Sequence, residues 1–143
     1  MVKKSDLKKL NSIMQEGNEF KNIKKYNDAV EKYLEALRFV EERVKEPEER
    51  KDEIRNIKSQ IDQIYSVKII DIIDEARTFI IDKDFGSAFN TFDEAARIAD
   101  KIVDKDMKDY DVKEISYLIN KTRIEESLYQ AILVKNKQEL DKA

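Results

Sequence analysis

At 143 residues the chain is long enough to bury one real core, and 41% of it is charged, against roughly 25% in an ordinary globular protein. Two glycines and one proline are too few for the turns of a β protein, while a 41% apolar fraction recurring at helical spacing argues against disorder. The absence of histidine and cysteine removes the commonest general base, the usual zinc ligands, thiol nucleophiles and disulfides, and a net charge of −3 provides no field for gathering nucleic acid.

Five helices are expected. The first runs from about Ser5 to Asn22 and the second from about Lys25 to Lys45. Pro47 breaks the pattern and, followed by Glu48 and Glu49, suits the first turn of a third helix reaching about Ile81. Asp84 caps a fourth, to about Val103. Residues 104–110 read as a polar connection, and Asp111 with Glu114 resembles a capping box opening a last helix at about 111–140. The opening residues Met1 to Leu7 show no signal-peptide pattern, and no apolar run approaches the roughly 18 residues a membrane span needs. With the lack of cysteine, this leads to the expectation of a soluble cytoplasmic protein.

The chain matches itself at an offset of 59 residues. Glu16 pairs with Glu75, Gly17 with Ala76, Phe20 with Phe79, Tyr26 with Phe85, Ala29 with Ala88, Tyr33 with Phe92, Ala36 with Ala95 and Arg38 with Arg97. Small residues fall on small and aromatics on aromatics, without a gap. Gly17 or Ala76 against Ala29 or Ala88 lets two antiparallel helices approach closely, with the aromatics filling the space around the contact. Ala36 and Ala95 admit the helix that follows, and Lys32 and Thr91 fall on the other face.

The expected organisation is a single helical-repeat domain over 1–143. Hairpin one spans about 5–45, a shared long helix about 47–81, hairpin two about 69–103, and a closing helix about 111–140. The first half of the shared helix, with Ile54, Ile57, Ile61 and Ile64, closes hairpin one. Its second half, apolar nearly all round, opens hairpin two. Ile115, Leu118, Ile119, Ile124, Leu128, Ala131 and Ile132 of the last helix are expected to close hairpin two.

Gly17-Asn18-Glu19-Phe20 followed by Tyr26, Ala29, Tyr33 and Ala36 resembles the tetratricopeptide repeat (TPR) family, as do Ala76, Phe79, Phe85, Ala88, Phe92 and Ala95. The two matches cover about half the chain, but lie 59 residues apart where the family's period is 34. The resemblance implies a short solenoid with partner contacts on the inner face of each hairpin's first helix. That face is Asn11, Met14, Asn18 and Lys21 in the first copy, and Ile73, Arg77 and Ile80 in the second. Asn18 matches an asparagine that holds ligand carboxylates in chaperone-binding members, whereas the lysine expected one turn earlier is Met14. The MIT domain, a three-helix module of membrane-remodelling and trafficking systems, is also similar, through Ile54-Arg55 and Lys58 ahead of Tyr65. That resemblance implies an amphipathic helix seated near Arg55, Lys58 and Asp62.

The acids Glu41-Glu42, Glu46 with Glu48-Glu49, and Asp82 with Asp84 sit at expected helix ends among lysines, where capping explains them better than catalysis does. The lysines at 3, 4, 8, 9, 21, 24 and 25 form either a solvated face or a contact for anionic lipid or an acidic partner. No Gly-rich phosphate loop, calcium loop or nucleophile elbow is present. The sequence therefore points to a non-catalytic adaptor without cofactor or metal that binds a protein or peptide, with no nucleic-acid partner expected. An MIT-like module and a structural protein self-associating through its last helix are the alternatives.

Overall fold

The computed structural model describes residues 3–142, so the outermost positions of the expected 1–143 domain lie outside the described residues. The described chain is 89% helical and has no strand, as the all-α reading requires. Its helices are α1 (Lys4–Asn22), α2 (Tyr26–Arg43), α3 (Pro47–Ile81), α4 (Phe85–Ala99) and α5 (Lys105–Lys142). No helix among the described residues is long and apolar enough to cross a membrane.

Local chemistry sets the ends. Glu46 accepts a hydrogen bond from the Glu49 backbone N–H at 2.7 Å and Pro47 opens α3, which begins and ends where the sequence places it. Asp84 caps α4 through the Ser87 N–H at 3.2 Å. Two boundaries need correction. The α4 helix stops at Ala99, because the Lys101 and Ile102 N–H groups turn back to the carbonyls of Ile98 and Ala99 and drive Ile102 into the core. The last helix starts at Lys105, six residues before Asp111. Asp104 is its cap, accepting from the Met107 N–H at 2.9 Å, while Asp111 lies buried within the helix.

The duplication extends to the backbone of the two hairpin turns. Lys24 and Lys83, 59 residues apart, both adopt left-handed φ angles, 63° and 62°. In each turn the following N–H (Lys25 or Asp84) reaches back to the carbonyl of Phe20 or Phe79 at 2.9 Å. The Lys24 and Lys83 N–H groups bond Lys21 and Ile80 at 3.0 Å. This is a Schellman ending with lysine where glycine is usual, at a cost of about 1 kcal/mol in each turn.

Each helix packs mainly on its neighbours in the chain: α1 on α2, α2 on α3, α3 on α4 and α4 on α5. Only a light contact joins α3 to α5, and α1 makes no comparable one with α3. The first core gathers Leu10 and Ile13, Ala29, Tyr33, Ala36 and Val40, and Ile57, Ile61 and Ile64. The second gathers Ile69, Ile72, Ile73 and Ala76, Phe92, Ala95 and Ile98, and Ile115. Tyr65 packs against both. A Cβ on Gly17 would lie 2.7 Å from Cε2 of Tyr33, which explains why that position is glycine.

Two further expectations change. Lys32 is half-buried, 2.8 Å from Glu16 on α1, and Thr91 is buried with its hydroxyl donating to the Ser87 carbonyl. The middle helix of each unit is covered on two sides, leaving little free outer face. Of the α5 residues expected to close hairpin two, Ile115, Leu118 and Ile119 pack on the second core, whereas Ile124, Leu128, Ala131 and Ile132 are exposed. The 15 residues of α4 span about 22 Å, and the 38 of α5 about 57 Å, so α4 runs out before α5 does.

Ala29 and Ala88 are both fully buried at these helix contacts. Leucine at either should overpack its hairpin and lower stability by about 1–3 kcal/mol. Denaturant melts of Ala29→Leu and Ala88→Leu check this, and midpoints equal to wild type would refute the packing.

Candidate functional site

The helical steps of α3 place Lys51, Ile54, Arg55, Lys58, Ser59 and Asp62 on one face, since they lie at i, i+3, i+4, i+7, i+8 and i+11. The α4–α5 turn crosses that face and adds Val103 and Asp104, and the first turn of α5 adds Met107. Together they line an open groove of about 370 Å³. Ile54, Val103 and Met107 supply its apolar floor; Ile54 and Met107 are half-buried and Val103 is 68% exposed. Lys51, Arg55 and Lys58 form an exposed basic rim, with Arg55 held loosely by Asp52 of the same helix at 3.7 Å.

Two acids join α3 to the segment that crosses it. Asp62 is 3% exposed, and each carboxylate oxygen accepts one backbone N–H, from Val103 and from Asp104, both at 2.9 Å. The buried charge of α3 thereby serves the unpaired N–H groups ahead of α5. One turn along α3, Ser66 donates to the buried Asp111 of α5 at 3.0 Å. Lys101 lies over the Tyr65 ring, 6.0 Å from its centroid. With both oxygens engaged, Asp62 acts as structure and leaves the basic rim to face any ligand.

A second polar joint lies between α2 and α3. The Tyr26 hydroxyl donates to Asp71, whose carboxylate is 3.8 Å from Lys24 Nζ, and Lys68 donates to Asn27 at 3.1 Å. Burial first, then the hydrogen bond to Asp71 and its charge, push the Tyr26 phenol from 10.0 to about 12. In hairpin two the matching residue is Phe85, which meets Tyr129 of α5 with ring centroids 5.8 Å apart.

The residues expected on the inner face are distributed unevenly. Asn11 and Asn18 are exposed on α1, and Lys21 is half-buried. Met14 packs against the first core. Ile73 is 5% exposed within the second core, so it offers almost no surface to a ligand, and Ile80 packs beside it. Arg77 is exposed and pairs with Asp74 on its own helix at 3.3 Å. No hydrogen bond or ion pair among the described residues joins the α1 set to the α3 set. Arg55, Lys58 and Asp62, by contrast, do converge on one groove. The sequence carried their spacing but gave no sign that the α4–α5 turn would cross them.

Glu46 and Asp84 are spent on caps, and no group of three or more acids suited to a metal ion occurs among the described residues. The aromatics Tyr33, Phe85 and Phe92 are buried and Phe20 and Tyr26 pack against the first core, as core positions should, while Phe79 is half-buried. No protein-family model, curated protein or solved structure matches the chain.

Replacing Asp62 by Asn sets an amide NH2 against one of two N–H donors and should lower stability by about 1–3 kcal/mol, read by urea melts. Tyr26 gives a pH test. Its folded pKa lies above its unfolded value, so the stability it contributes is complete below pH 10 and is lost as pH rises towards 12. Tyrosinate absorbance should show the tyrosine missing from Tyr26→Phe titrating near 12, and wild type should lose its stability advantage over the variant across that window.

Proposed function

We propose that this protein is a short TPR-like solenoid acting as a non-catalytic interaction module, and that it seats a short acidic and apolar segment of a partner protein in the α3–α5 groove. Support for the solenoid comes from the two hairpin turns with identical bonding and from the sequential packing of the helices. The observation that carries the functional reading is the apolar floor of Ile54, Val103 and Met107 beneath the rim of Lys51, Arg55 and Lys58. Such a floor takes up one or two apolar side chains, while the cations draw in and orient acids beside them. Exposed lysines and arginines lose little hydration in doing so, giving modest affinity and a strong dependence on salt.

A random peptide display library selected on the intact protein should enrich sequences combining Asp or Glu with a large apolar residue. Arg55→Glu with Lys58→Glu should weaken binding of those peptides by about 1–3 kcal/mol in titration calorimetry. Asn18→Ala with Arg77→Ala, on the inner face, should leave it unchanged. Loss of binding only in the Asn18/Arg77 variant would transfer the site to the inner face and refute the groove.

A further inference from the structure

Past Tyr129, α5 leaves the rest of the molecule, and every residue from 130 to 142 is exposed. A helical stretch of that length is marginal in water by itself. This one also carries Ile132, Leu133, Val134 and Leu140 without cover.

A run of six residues indicates what covers the face that holds Leu128 and Ile132. Lys121, Glu125, Leu128, Ile132, Lys135 and Glu139 are separated by steps of 4, 3, 4, 3 and 4. That is the alternation of a two-helix seam. At about 100° per residue the six share an arc of roughly 80°. The arc lies beside the face that Ile115, Thr122 and Tyr129 turn towards the second unit. Around Gln130 the six are mirror-symmetric in position and opposite in charge. Leu128 and Ile132 stand two residues to either side, Glu125 and Lys135 five, and Lys121 and Glu139 nine.

We propose that this end of α5 pairs antiparallel with the same segment of a second copy of the chain, its two-fold axis passing at Gln130. Leu128 then meets Ile132 of the other copy twice, and these two apolar layers are flanked on either side by Glu125–Lys135 and then Lys121–Glu139 contacts. The other arrangements are penalised. A parallel pair sets each of the four charges against its own sign, and an antiparallel pair slipped by one heptad places Leu128 and Ile132 opposite charged residues. Two central apolar layers make a weak dimer, and the flanking charges select its register more than they strengthen it.

Sedimentation equilibrium of the intact protein should show its mass rising from 16.9 kDa towards twice that value over roughly 10–500 µM. Lys121→Glu with Lys135→Glu makes all four charges negative, and Glu125→Lys with Glu139→Lys makes them all positive. Either protein alone should dimerise at least about ten-fold more weakly than wild type, and an equimolar mixture should recover association. Unchanged circular dichroism shows that the variants fold. Orientation is read by cysteine, which the native chain lacks. Lys121→Cys mixed with Glu139→Cys should form a mixed disulfide. Either alone should not, because the antiparallel register sets like positions about 27 Å apart. A protein that stays at 16.9 kDa throughout overturns the proposal. Charge variants that dimerise like wild type, a mixture that fails to recover association, or cross-linking of one cysteine variant with itself would do so as well.

Discussion

Both hydrophobic cores are built on one uninterrupted helix, and Tyr65 is where they meet. At 35 residues, α3 extends about 52 Å, long enough to close one hairpin with Ile57, Ile61 and Ile64 and open the next with Ile69, Ile72, Ile73 and Ala76. Neither hairpin buries its apolar face without it. A break near Tyr65 would therefore expose surface in both units, and the long period of the internal repeat follows from the same fact. The helix that closes one copy and the helix that opens the next are a single element, carrying residues that a closely stacked array does without.

Polar groups secure the joints between these apolar blocks. At one joint Tyr26 and Asp71 fasten α2 to the middle of α3, and at another Asp62 and Asp111 fasten α3 to the start of α5. Buried carboxylates are stabilising only when their lone pairs are engaged, and here the partners are backbone N–H groups and a hydroxyl. The result is geometric as much as energetic. Because α3 and α5 touch only lightly, the carboxylate of Asp62 fixes where the α4–α5 turn crosses α3, and thereby the shape of the groove beneath Lys51, Arg55 and Lys58.

The second unit repeats the first without copying its chemistry. Tyr26 meets Asp71 on the following helix, whereas Phe85 meets Tyr129, with Lys83 in the place of Lys24 and 5.5 Å from that ring. A charged joint has become an aromatic one in the same position. Relative to α4, the last helix thus stands where α3 stands relative to α2. Its far end is the counterpart of the half of α3 that α4 covers, and within the described residues nothing covers it.

The sequence by itself determined the helices, the bounds of α3, the duplication and most of the core, because each depends on local periodicity, capping or the size of a side chain at a contact. Gly17, Ala29 and Ala88 are legible in that way, and so is the N-cap at Asp84. Only the tertiary structure decided that Asp111 is an internal partner of Ser66 and not a cap, and that Asp104 begins α5. It also put Ile73 in the second core, where a face assigned by resemblance had made it a ligand contact. The α3–α5 groove belongs to the same class, since Arg55 and Val103 come together through two hydrogen bonds to Asp62 from a turn about forty residues away. Helical periodicity reports which face of a helix is apolar, but not which distant segment lies across it, and that is set by contacts no local pattern encodes.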